Sequence, residues 1–384
     1  MLRIRYFLIL SLALTISLSL VLGSCGGSTS TTQQQTTGLK HIFYIMMENH
    51  SPNEIIGNTD DAPYINQLAN QYGVATRYFG VTHPSLPNYL AAISGDFQGI
   101  WDDCKAGASV TCAPQAFVSG SPYNGLLLTK DEVASATGKP HLFESQNLVD
   151  QLEAHHLTWK AYMQSMPSAG FTGEYYPANY VQGKVVPLKL YAQKHDPFMY
   201  FSDIVNNPAR LERIMPFTQF SQDITSSNVP NFLWISPDEC HDMHGVSLSS
   251  AKNLGIPDCA FSNAGLDHKV IALGDTFLRT TVSRIMSSPA WRENSVIVIV
   301  WDEDDFAGFT GCCKSPAGVN GVTLGGAHAP IIIIKSQRAH HFVVSDTSYN
   351  HYSLLATIEH DWGLGCLANT CGMSEALLMT RFFE

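Results

Sequence analysis

The sequence predicts an α/β protein, a three-layer α/β/α sandwich with a mostly parallel central sheet. Apolar runs of strand length alternate along the chain with segments of helical spacing. The strand runs are apolar almost throughout, which is typical of strands that are covered on both faces. The 384 residues are enough for one large α/β domain with a sizeable core, or for two smaller ones.

The order of elements begins with a strand, because HIFYIMM at residues 41–47 is an uninterrupted apolar run. Residues 86–94 are expected to form a short helix that ends at Gly95. Residues 168–207 are expected to be irregular and rich in aromatic side chains. The same patterns predict further strands at 158–163, 231–235, 296–301 and 329–335, and further helices at 62–72, 143–155, 267–287 and 353–360.

Residues 1–24 are predicted to be an export signal, with Arg3 and Arg5 before an apolar run at 7–22. The segment LGSC at 22–25 resembles a lipobox, in which Cys25 would be acylated. The alternatives are an ordinary cleaved signal peptide and an uncleaved anchor. Residues 25–39 are expected to be a lipid-anchored flexible tether and residues 40–384 the functional domain. The mature part would then be a membrane-anchored lipoprotein or a periplasmic or extracellular protein.

The composition favours an enzyme and argues against nucleic-acid binding. Charged residues make up only 14% of the chain, yet there are 15 histidines, which supply bases and metal ligands. Without residues 1–24, the chain has 20 basic and 33 acidic residues and a net charge of −13. Nucleic-acid partners are not expected, because their phosphates are bound by basic surfaces.

The cysteines predict disulfide bonds, since eight remain when Cys25 is left aside, and disulfides persist outside the cytosol. The pairs Cys104–Cys112 and Cys366–Cys371 can close small loops. The other four, Cys240, Cys259, Cys312 and Cys313, are expected to pair among themselves. Cross-pairing is expected there, because a bond between the neighbours Cys312 and Cys313 is strained. A zinc–thiolate site is the alternative, but no C-x-x-C pair supports it.

Four carboxylates follow the apolar run that ends at Trp301, in the segment IVWDEDD. Parallel sheets bind ligands beyond the carboxyl ends of their strands. Like charges gathered there repel one another unless a cation lies among them. Asp302 and Glu303 are therefore candidate metal ligands, while Asp304 and Asp305 are expected to cap the following loop or to support the ligands. The alternative is a solvated acidic loop.

Polar side chains also adjoin the other predicted strands. Glu48 and Asn49 follow the first strand, where a helix cap or an Asx turn is the alternative. The segment ISPDECHDMHG at 235–245 gathers carboxylates and imidazoles, which suit a divalent cation with mixed ligands, although a polar surface loop is the alternative. His328 precedes the strand at 329–335, where a lone histidine is more often structural.

Ser85 lies just before the short helix at 86–94, and a helix N-terminus favours an anion such as a phosphoryl group. A hydroxyl at that place is a candidate nucleophile, and a metal ion could activate it without a histidine–aspartate pair. The alternative is that Ser85 is only an N-cap residue.

Seven segments follow one another along the chain in the order ENHS, HPSLPNYLAAISG, KHDPFMYF, PDECHDMHG, VWDEDD, HAPIIII and YNHYSLLATIEHDWGL. Taken together and in this order, they resemble the bacterial phosphoesterase family over about residues 40 to 365. That family includes exported acid phosphatases, phosphoinositide phosphatases and phospholipase C-type enzymes. The resemblance implies an alkaline phosphatase-like fold, since the family belongs to the alkaline phosphatase superfamily.

The resemblance also implies roles for individual residues. Ser85 would be the phosphoryl acceptor, and Asn88 would hold a phosphoryl oxygen. His195 and His351 would lie near the phosphate or the leaving group, with a buried structural histidine as the alternative for each. The superfamily often has Asp-His where this chain has Asp302 and Glu303, so the divalent ion could be Zn, Mg, Ca or Mn. The implied metal ligands are Glu48, Asn49, Asp242, His244, Asp302, Glu303 and His328, with Asp238 and His241 as a second tier.

The function expected from these residues is that of an exported phosphomonoesterase with a phosphoserine intermediate and metal assistance. The alternative enzyme is a phospholipase C-type phosphodiesterase, with the aromatic residues 171–200 at a lipid-facing entrance, although ordinary packing of these residues is the favoured alternative. A third reading is a surface lipoprotein that binds phosphorylated ligands without turnover. A sulfatase is disfavoured, because Leu-Pro-Asn follows Ser85 and no Arg is present there. The expected partners are small phosphate esters or phospholipid head groups, and a membrane through the N-terminal lipid anchor.

Overall fold

The computed structural model describes residues 38–115, 127–181, 184–262, 265–306, 308–336 and 343–384. The predicted signal peptide, Cys25 and all of the tether but its last two residues lie outside these ranges. Within the described ranges, no helix is both long enough and apolar enough to cross a bilayer.

The strands are short, and half of those in the large sheet are buried along their whole length. In chain order they are β1 (His41–Met47), β2 (Gly73–Ala75), β3 (Tyr78–Phe79), β4 (Trp159–Met163), β5 (Tyr175–Val181), β6 (Lys184–Ala192), β7 (Ile214–Pro216), β8 (Phe232–Ser236), β9 (Ser295–Trp301), β10 (Ile331–Lys335), β11 (Val344–Ser345) and β12 (Tyr349–Asn350).

The α-helices are also mostly short, with one of twenty residues. They are α1 (Pro52–Ile55), α2 (Pro63–Gln71), α3 (Ser85–Ser94), α4 (Lys130–Thr137), α5 (Leu148–Ala154), α6 (Ser202–Val205), α7 (Pro208–Leu211), α8 (Phe220–Asp223), α9 (Leu248–Leu254), α10 (His268–Ser287), α11 (His351–Trp362) and α12 (Thr380–Phe383).

The central sheet has eight strands in the order β11-β2-β10-β9-β1-β8-β4-β7. The five strands β9, β1, β8, β4 and β7 are parallel to one another. β10 runs antiparallel to both of its neighbours, β9 and β2. The prediction of a mostly parallel sheet is therefore confirmed. The antiparallel β10 has a consequence for the site, because its start lies at the same edge as the end of β9.

One face of the sheet is covered by α3. Trp234 of β8 stacks on Tyr44 of β1, with ring centroids 4.6 Å apart. Tyr89 of α3 reaches the same tryptophan, with a centroid distance of 6.0 Å. This face of the sheet is therefore packed by large aromatic side chains beneath the helix that carries Ser85.

The opposite face is covered by α10. Ile235 follows Trp234 along β8, so its side chain points to the other face, as does that of its register partner Tyr162. Tyr162 packs on Phe220, which stacks on Phe217. Phe217 in turn contacts Phe277 of α10. Helices on both faces confirm the predicted three layers.

Most predicted elements are present with small shifts of their ends. The predicted helix at 143–155 is too long, because Phe143 instead pairs with Phe201 as an isolated β-bridge and the helix begins after Asn147. The side chain of Asn147 accepts a hydrogen bond from the amide of Val149, which fixes this start. The region predicted to be irregular contains the antiparallel hairpin of β5 and β6. The order of strands and helices was therefore correct where the apolar runs were continuous.

Four disulfide bonds join the eight described cysteines. Cys104–Cys112 and Cys366–Cys371 are bonded as predicted. The expected cross-pairing is wrong, because Cys240 bonds to Cys259 and the neighbours Cys312 and Cys313 bond to each other. Cys240 and Cys259 are drawn together by a parallel bridge between Val246 and Ala260, which leaves the neighbouring pair to close on itself. The zinc–thiolate alternative is excluded for these cysteines, since none of them is a free thiolate.

Glu359 of α11 predicts a pH dependence of stability. Burial raises the pKa of this carboxyl to about 7, although Thr370 and Gln151 donate hydrogen bonds to it. Between about pH 4.5 and pH 7 the unfolded chain releases this proton and the folded chain retains it, so the free energy of unfolding falls as pH rises. Glu359→Gln is expected to remove this slope and to stabilise the protein at pH 8 by about 1–3 kcal/mol. Urea denaturation at several pH values measures it. Glu375→Gln, at an exposed site, is the control, and equal slopes for both variants would contradict the prediction.

Candidate active site

Three neighbouring parallel strands, β1, β9 and β8, deliver carboxylates to one edge of the sheet. The backbone ties these ends together, since the Glu48 amide donates to the Asp242 carbonyl at 2.8 Å and the Asp302 amide to the Met47 carbonyl at 3.0 Å. The Asn49 amide donates to Oδ1 of Asp302 at 3.1 Å. The sequence-predicted strand ends therefore meet in one place.

Ser85 is the first residue of α3 and is buried against these carboxylates. Its Oγ donates to Oε2 of Glu48 at 2.8 Å and lies 3.4 Å from Oε1 of Glu303. Pro84 is the N-cap residue and supplies no side-chain hydrogen bond to the helix, so the hydroxyl of Ser85 is not used as a cap. This arrangement joins a hydroxyl, a helix N-terminus and two carboxylates.

Asn88 braces the loop that precedes Ser85. Its Oδ1 accepts hydrogen bonds from the amides of Val81 and Thr82, and its Nδ2 donates to the carbonyls of Thr82 and Pro84. The same Nδ2 lies 3.4 Å from Oε2 of Glu303. Asn88 thus lies beside the site, and its role in holding a phosphoryl oxygen stays a prediction.

Two glycines allow this loop to approach the end of β9. Gly326 donates to the carbonyl of Gly80, and a Cβ on Gly80 would lie 2.8 Å from the Asp302 carbonyl oxygen. A Cβ on Gly326 would lie 2.5 Å from the Thr82 carbonyl oxygen. Such distances are too short for any larger residue. This close backbone approach at Gly326 holds the Ser85 loop against Asp302.

The buried carboxylates carry more negative charge than their surroundings compensate. Burial, together with the neighbouring charges of Glu48 and Glu303, raises the pKa of Asp302 well above its usual range. Burial also raises the pKa of Glu303 strongly, and that of Asp242 to about 7. Burial alone would raise the pKa of Glu48 as well, but the combined interactions with His195, Lys194 and His244 outweigh burial and lower the pKa below its usual range. Glu48 is therefore ionised, and its negative charge opposes the ionisation of the neighbouring Asp302 and Glu303 carboxyls.

Four of the predicted metal ligands have a buried oxygen that accepts no hydrogen bond within the described residues. These atoms are Oε1 of Glu48, Oδ1 of Asn49, Oδ2 of Asp242 and Oδ2 of Asp302. Buried oxygens without donors are costly unless a cation binds them. The donor set therefore fits a divalent metal ion, and its all-oxygen character suits a hard one.

The ligand atoms of the predicted metal ligands do not lie close enough together, among the described residues, to form a compact metal site. Among the described residues, one group of three ligand atoms lies within 4.8 Å of one another, formed by Asp102, Cys104 and Cys112. That group cannot bind a metal through sulfur, because its cysteines form a disulfide. Binding at Glu48, Asp242 and Asp302 would require these side chains to converge.

His195 lies between two of the carboxylates. Its Nε2 is 3.2 Å from Oε1 of Glu48, and its Nδ1 is 3.2 Å from Oδ2 of Asp242. Both contacts are at ion-pair distance but lack hydrogen-bond geometry. Burial opposes a proton on the ring, but the combined interactions with Glu48 and Asp242 outweigh burial and raise the pKa of His195 well above its usual range. The ring stacks on Tyr89 at 5.2 Å. The structure thus brings His195 into the site, between Glu48 and Asp242.

His244 adjoins the same cluster through two residues that the sequence analysis did not select. Its Nδ1 lies 2.7 Å from Oε2 of Glu239, and its Nε2 lies 3.3 Å from Nζ of Lys194. Its ring is 5.8 Å from that of His195. Because both nitrogens of His244 have partners, its role as a metal ligand stays a prediction.

The remaining predicted histidines lie nearby without reaching Ser85. His351 binds the Asp302 carbonyl through Nε2 and the Tyr78 hydroxyl through Nδ1, and burial lowers its pKa to about 4. It is a neutral support for the strand end. His328 packs on Phe79 with a centroid distance of 4.4 Å, and no contact of its ring with the site carboxylates is found among the described residues. Its role as a ligand stays a prediction.

The second-tier pair forms its own small cluster. Oδ1 of Asp238 lies 2.7 Å from Nδ1 of His241, and Oδ2 of Asp238 accepts from the Ser165 hydroxyl at 2.6 Å. Within the acidic segment, Asp304 accepts a hydrogen bond from the Phe306 amide at 2.8 Å, which confirms its predicted loop-capping role. Asp305 is exposed.

Three residues of the site, His83, Asp103 and Lys194, were not predicted from the sequence, and Glu239 was predicted only as part of the polar segment at 235–245. His83 lies 2.6 Å from Oε2 of Glu303 and so holds that carboxylate in place. His83, Lys194 and Glu239 lie inside the quoted segments HPSLPN, KHDP and PDEC, so a closer reading of those segments could have found them. Asp103 lies outside all of them, and no sequence signal identifies it.

The sequence model of the Phosphoesterase family matches residues 58–365 of this chain. The chain belongs to the Phosphoesterase family. The resemblance seen in the ordered segments is thereby confirmed, and the site lies almost wholly inside the matched range. Only Glu48, Asn49 and the strand before them precede it.

This phosphoesterase is similar to two relatives with assigned names. It is 25% identical over 344 residues to a probable acid phosphatase from Kluyveromyces lactis, covering 88% of this chain and 62% of that protein. It is 26% identical over 328 residues to the phosphatidylinositol-3-phosphatase of Mycobacterium tuberculosis, covering 84% of this chain and 77% of that protein. The phosphoesterase therefore spans less than two thirds of the yeast relative.

The phosphoesterase also superposes on solved structures. A protein of the alkaline phosphatase superfamily from Vibrio parahaemolyticus matches it with a TM-score of 0.43 at 12% sequence identity. The match covers 86% of this chain and 67% of that chain.

Proposed function

We propose that this protein is a phosphatase that hydrolyses phosphoric monoesters through a phosphoserine intermediate. The observation that carries the proposal is the hydrogen bond of 2.8 Å from the Ser85 hydroxyl to the Glu48 carboxylate at the start of α3. The helix N-terminus favours the phosphoryl group, and the carboxylate can accept the proton of the attacking hydroxyl. The acid phosphatase and phosphoinositide phosphatase names of the relatives support this reaction class.

In the first step, Oγ of Ser85 attacks phosphorus in line with the ester oxygen. The Oγ–P bond forms as the bond from phosphorus to the leaving oxygen breaks. Glu48 accepts the proton of Ser85, and the His195 imidazolium donates a proton to the leaving oxygen, so the alcohol departs neutral. In the second step, water attacks phosphorus and breaks the Oγ–P bond. His195 regains a proton from the water, Glu48 returns its proton to Ser85, and hydrogen phosphate leaves.

The metal would be held by Glu48, Asn49, Asp242 and Asp302, each of which has a buried oxygen that accepts no hydrogen bond within the described residues. Two of these oxygens, Oε1 of Glu48 and Oδ2 of Asp242, also lie 3.2 Å from the ring nitrogens of His195. A divalent cation bound there would neutralise the phosphoryl oxygens and help to ionise the Ser85 hydroxyl. The oxygen-rich set favours Mg, Ca or Mn over Zn. His83 and Asn88 support this group from outside by fixing Glu303 and the Ser85 loop.

Turnover of p-nitrophenyl phosphate by the purified protein tests the reaction class. We expect a rate constant on the order of 1–10³ s⁻¹ in the presence of divalent ions, and a much lower rate with bis-p-nitrophenyl phosphate. Faster cleavage of the diester would instead support a phosphodiesterase. If neither ester is cleaved but inorganic phosphate binds, the protein is a phospho-ligand-binding protein and the proposal is wrong.

A phospholipid substrate is the second candidate, and a cavity beside the site favours it. The cavity has a volume of about 430 Å³, and Glu239 and His244 form part of its lining. Phe261, which also lines it, is 40% exposed, and the adjacent Val185 and Leu248 are 57% and 52% exposed. Exposed apolar side chains around a cavity suit a lipid surface. Comparing phosphatidylcholine and phosphatidylinositol phosphates with soluble monoesters distinguishes the two candidates.

We also propose that the protein is exported and anchored to a membrane by a lipid on Cys25. The support for this is the basic start, the apolar run and the lipobox-like segment within residues 1–25, together with the four disulfides, which need an oxidising compartment. Mass spectrometry of the membrane fraction after expression in a bacterium tests this. A diacylglyceryl modification of Cys25 is expected, and a soluble protein that lacks the first 24 residues and carries an unmodified Cys25 would contradict it.

A further inference from the structure

Lys194 is a largely buried ammonium group at the edge of the candidate site. It belongs to the short 3₁₀ helix Gln193–His195 that follows β6, next to the site residue His195. Its side chain is 12% exposed. Its Nζ lies 3.3 Å from Nε2 of His244 and 3.3 Å from Oδ2 of Asp103. A lysine rarely occupies such a place unless its charge is matched or used.

The charge of Lys194 acts on the same carboxylates that surround Ser85. It interacts electrostatically with Glu48 and Glu303, the two carboxylates that contact the Ser85 hydroxyl, and with Glu239. Those carboxylates repel a phosphoryl group, which brings two negative charges of its own. A fixed cation among them reduces that repulsion whether or not a metal ion is bound.

The position of Lys194 is fixed relative to the helix that carries Ser85. Asp103 accepts from Lys194 through Oδ2 and from the backbone amide of Leu86 through Oδ1 at 3.0 Å. Leu86 follows Ser85 directly. Asp103 therefore joins the ammonium to the first turn of α3, the place where the helix would meet the phosphoryl oxygens.

We propose that Lys194 is a catalytic residue whose ammonium binds a non-bridging oxygen of the phosphoryl group, at the side of the site bordered by Asp103 and His244. This inference rests on the proposed phosphatase function. The ammonium supplies a positive charge that belongs to the chain itself, in addition to that of the metal. Its contact becomes stronger as the phosphoryl group transfers, because an ammonium and a helix N-terminus aimed at the same oxygens need no reorganisation.

Kinetics of three substitutions test the role of Lys194, with p-nitrophenyl phosphate as substrate and inorganic phosphate as inhibitor. Lys194→Met keeps the length and removes the charge, Lys194→Gln also keeps a donor for Asp103, and Lys194→Arg keeps the charge. Lys105→Met is the matched control, because Lys105 lies in the neighbouring loop with a side chain that is 54% exposed.

We expect Lys194→Met and Lys194→Gln to lower kcat/KM about 100-fold or more, mainly through kcat. The inhibition constant of phosphate is expected to rise at least tenfold, and Lys194→Arg is expected to retain at least a tenth of the activity. Lys105→Met is expected to stay within twofold of the wild type. Circular dichroism identifies any variant that does not fold. Should Lys194→Met fail to fold, Lys194→Gln carries the same expectation.

Two results would overturn the role of Lys194. One is a kcat/KM and a phosphate inhibition constant that remain within threefold of the wild type in a folded, uncharged variant. The other is an arginine variant as impaired as the methionine variant, since charge would then not matter. A wild-type protein without turnover overturns the proposed function instead. In that case, calorimetric binding of phosphate by the wild type and by Lys194→Gln still decides whether Lys194 contacts the anion.

Discussion

Ser85→Ala is expected to lower the turnover of p-nitrophenyl phosphate by about 10⁴-fold or more. The substitution removes the oxygen that would form the bond to phosphorus, and nothing else in the site replaces it. The residue is buried beside Glu48 and Glu303, so the alanine leaves only a small gap and the fold should be retained. Steady-state kinetics of the purified variant measure the effect.

A covalent intermediate gives this prediction a second readout. Rapid acid quenching of the wild type with substrate should trap phosphate on the peptide that contains Ser85, and the alanine variant should trap none. Ser94→Ala is the matched control, because Ser94 lies in the same helix and its hydroxyl donates to the Leu90 carbonyl. Its activity should remain within threefold of the wild type. A Ser85→Ala enzyme with more than a tenth of normal activity would show that another group attacks phosphorus.

The fold could be predicted from the sequence because its central strands are continuous apolar runs. β1 was predicted at residues 41–47 and lies at His41–Met47. Its seven residues form one continuous buried run, which defines both ends of the strand. β2 and β7 were missed because a strand of only three residues carries too little pattern. The direction of β10 was not predicted either. The sequence pattern of a buried strand is the same whether the strand runs parallel or antiparallel to its neighbours. Its direction is decided by the chain segment that connects it to the preceding strand.

Site residues could be predicted where a reactive side chain directly follows a strand or directly precedes a helix. Glu48, Asp302 and Ser85 were found in this way, and the structure brings them together. Lys194 was not singled out within its segment KHDPFMYF, and Asp103 was not found at all, because the role of each depends on contacts with residues far away in the sequence. The role of Asp103 is evident only from the structure, in which its carboxylate accepts hydrogen bonds from both the Leu86 amide and the Lys194 ammonium.

Asp302→Asn is expected to stabilise the metal-free protein while it lowers activity. The buried Asp302 carboxyl has a raised pKa because burial and the charges of Glu48 and Glu303 oppose its ionisation. Above the pKa of the unfolded chain, this penalty lowers the free energy of unfolding of the wild type. The amide removes the charge and retains the oxygen that accepts from the Asn49 amide. At pH 8 without metal, we expect a gain of about 1–3 kcal/mol, which should shrink as the pH falls toward 4.

The same substitution should weaken metal binding, because it removes one of the anionic oxygens that lack a donor. We expect a lower metal content and a loss of kcat/KM of about 100-fold or more. Elemental analysis, thermal melting with and without a chelator, and kinetics with added Mg, Mn, Ca or Zn measure the three effects. Asp305→Asn is the control, since Asp305 belongs to the same acidic segment but is exposed. If Asp302→Asn destabilises the chelated protein, or if the chelated wild type keeps full activity, the uncompensated carboxylates are not a metal site. A stability gain that coincides with loss of metal and of activity would show that this protein retains a destabilising cluster of charges because its reaction needs the cation.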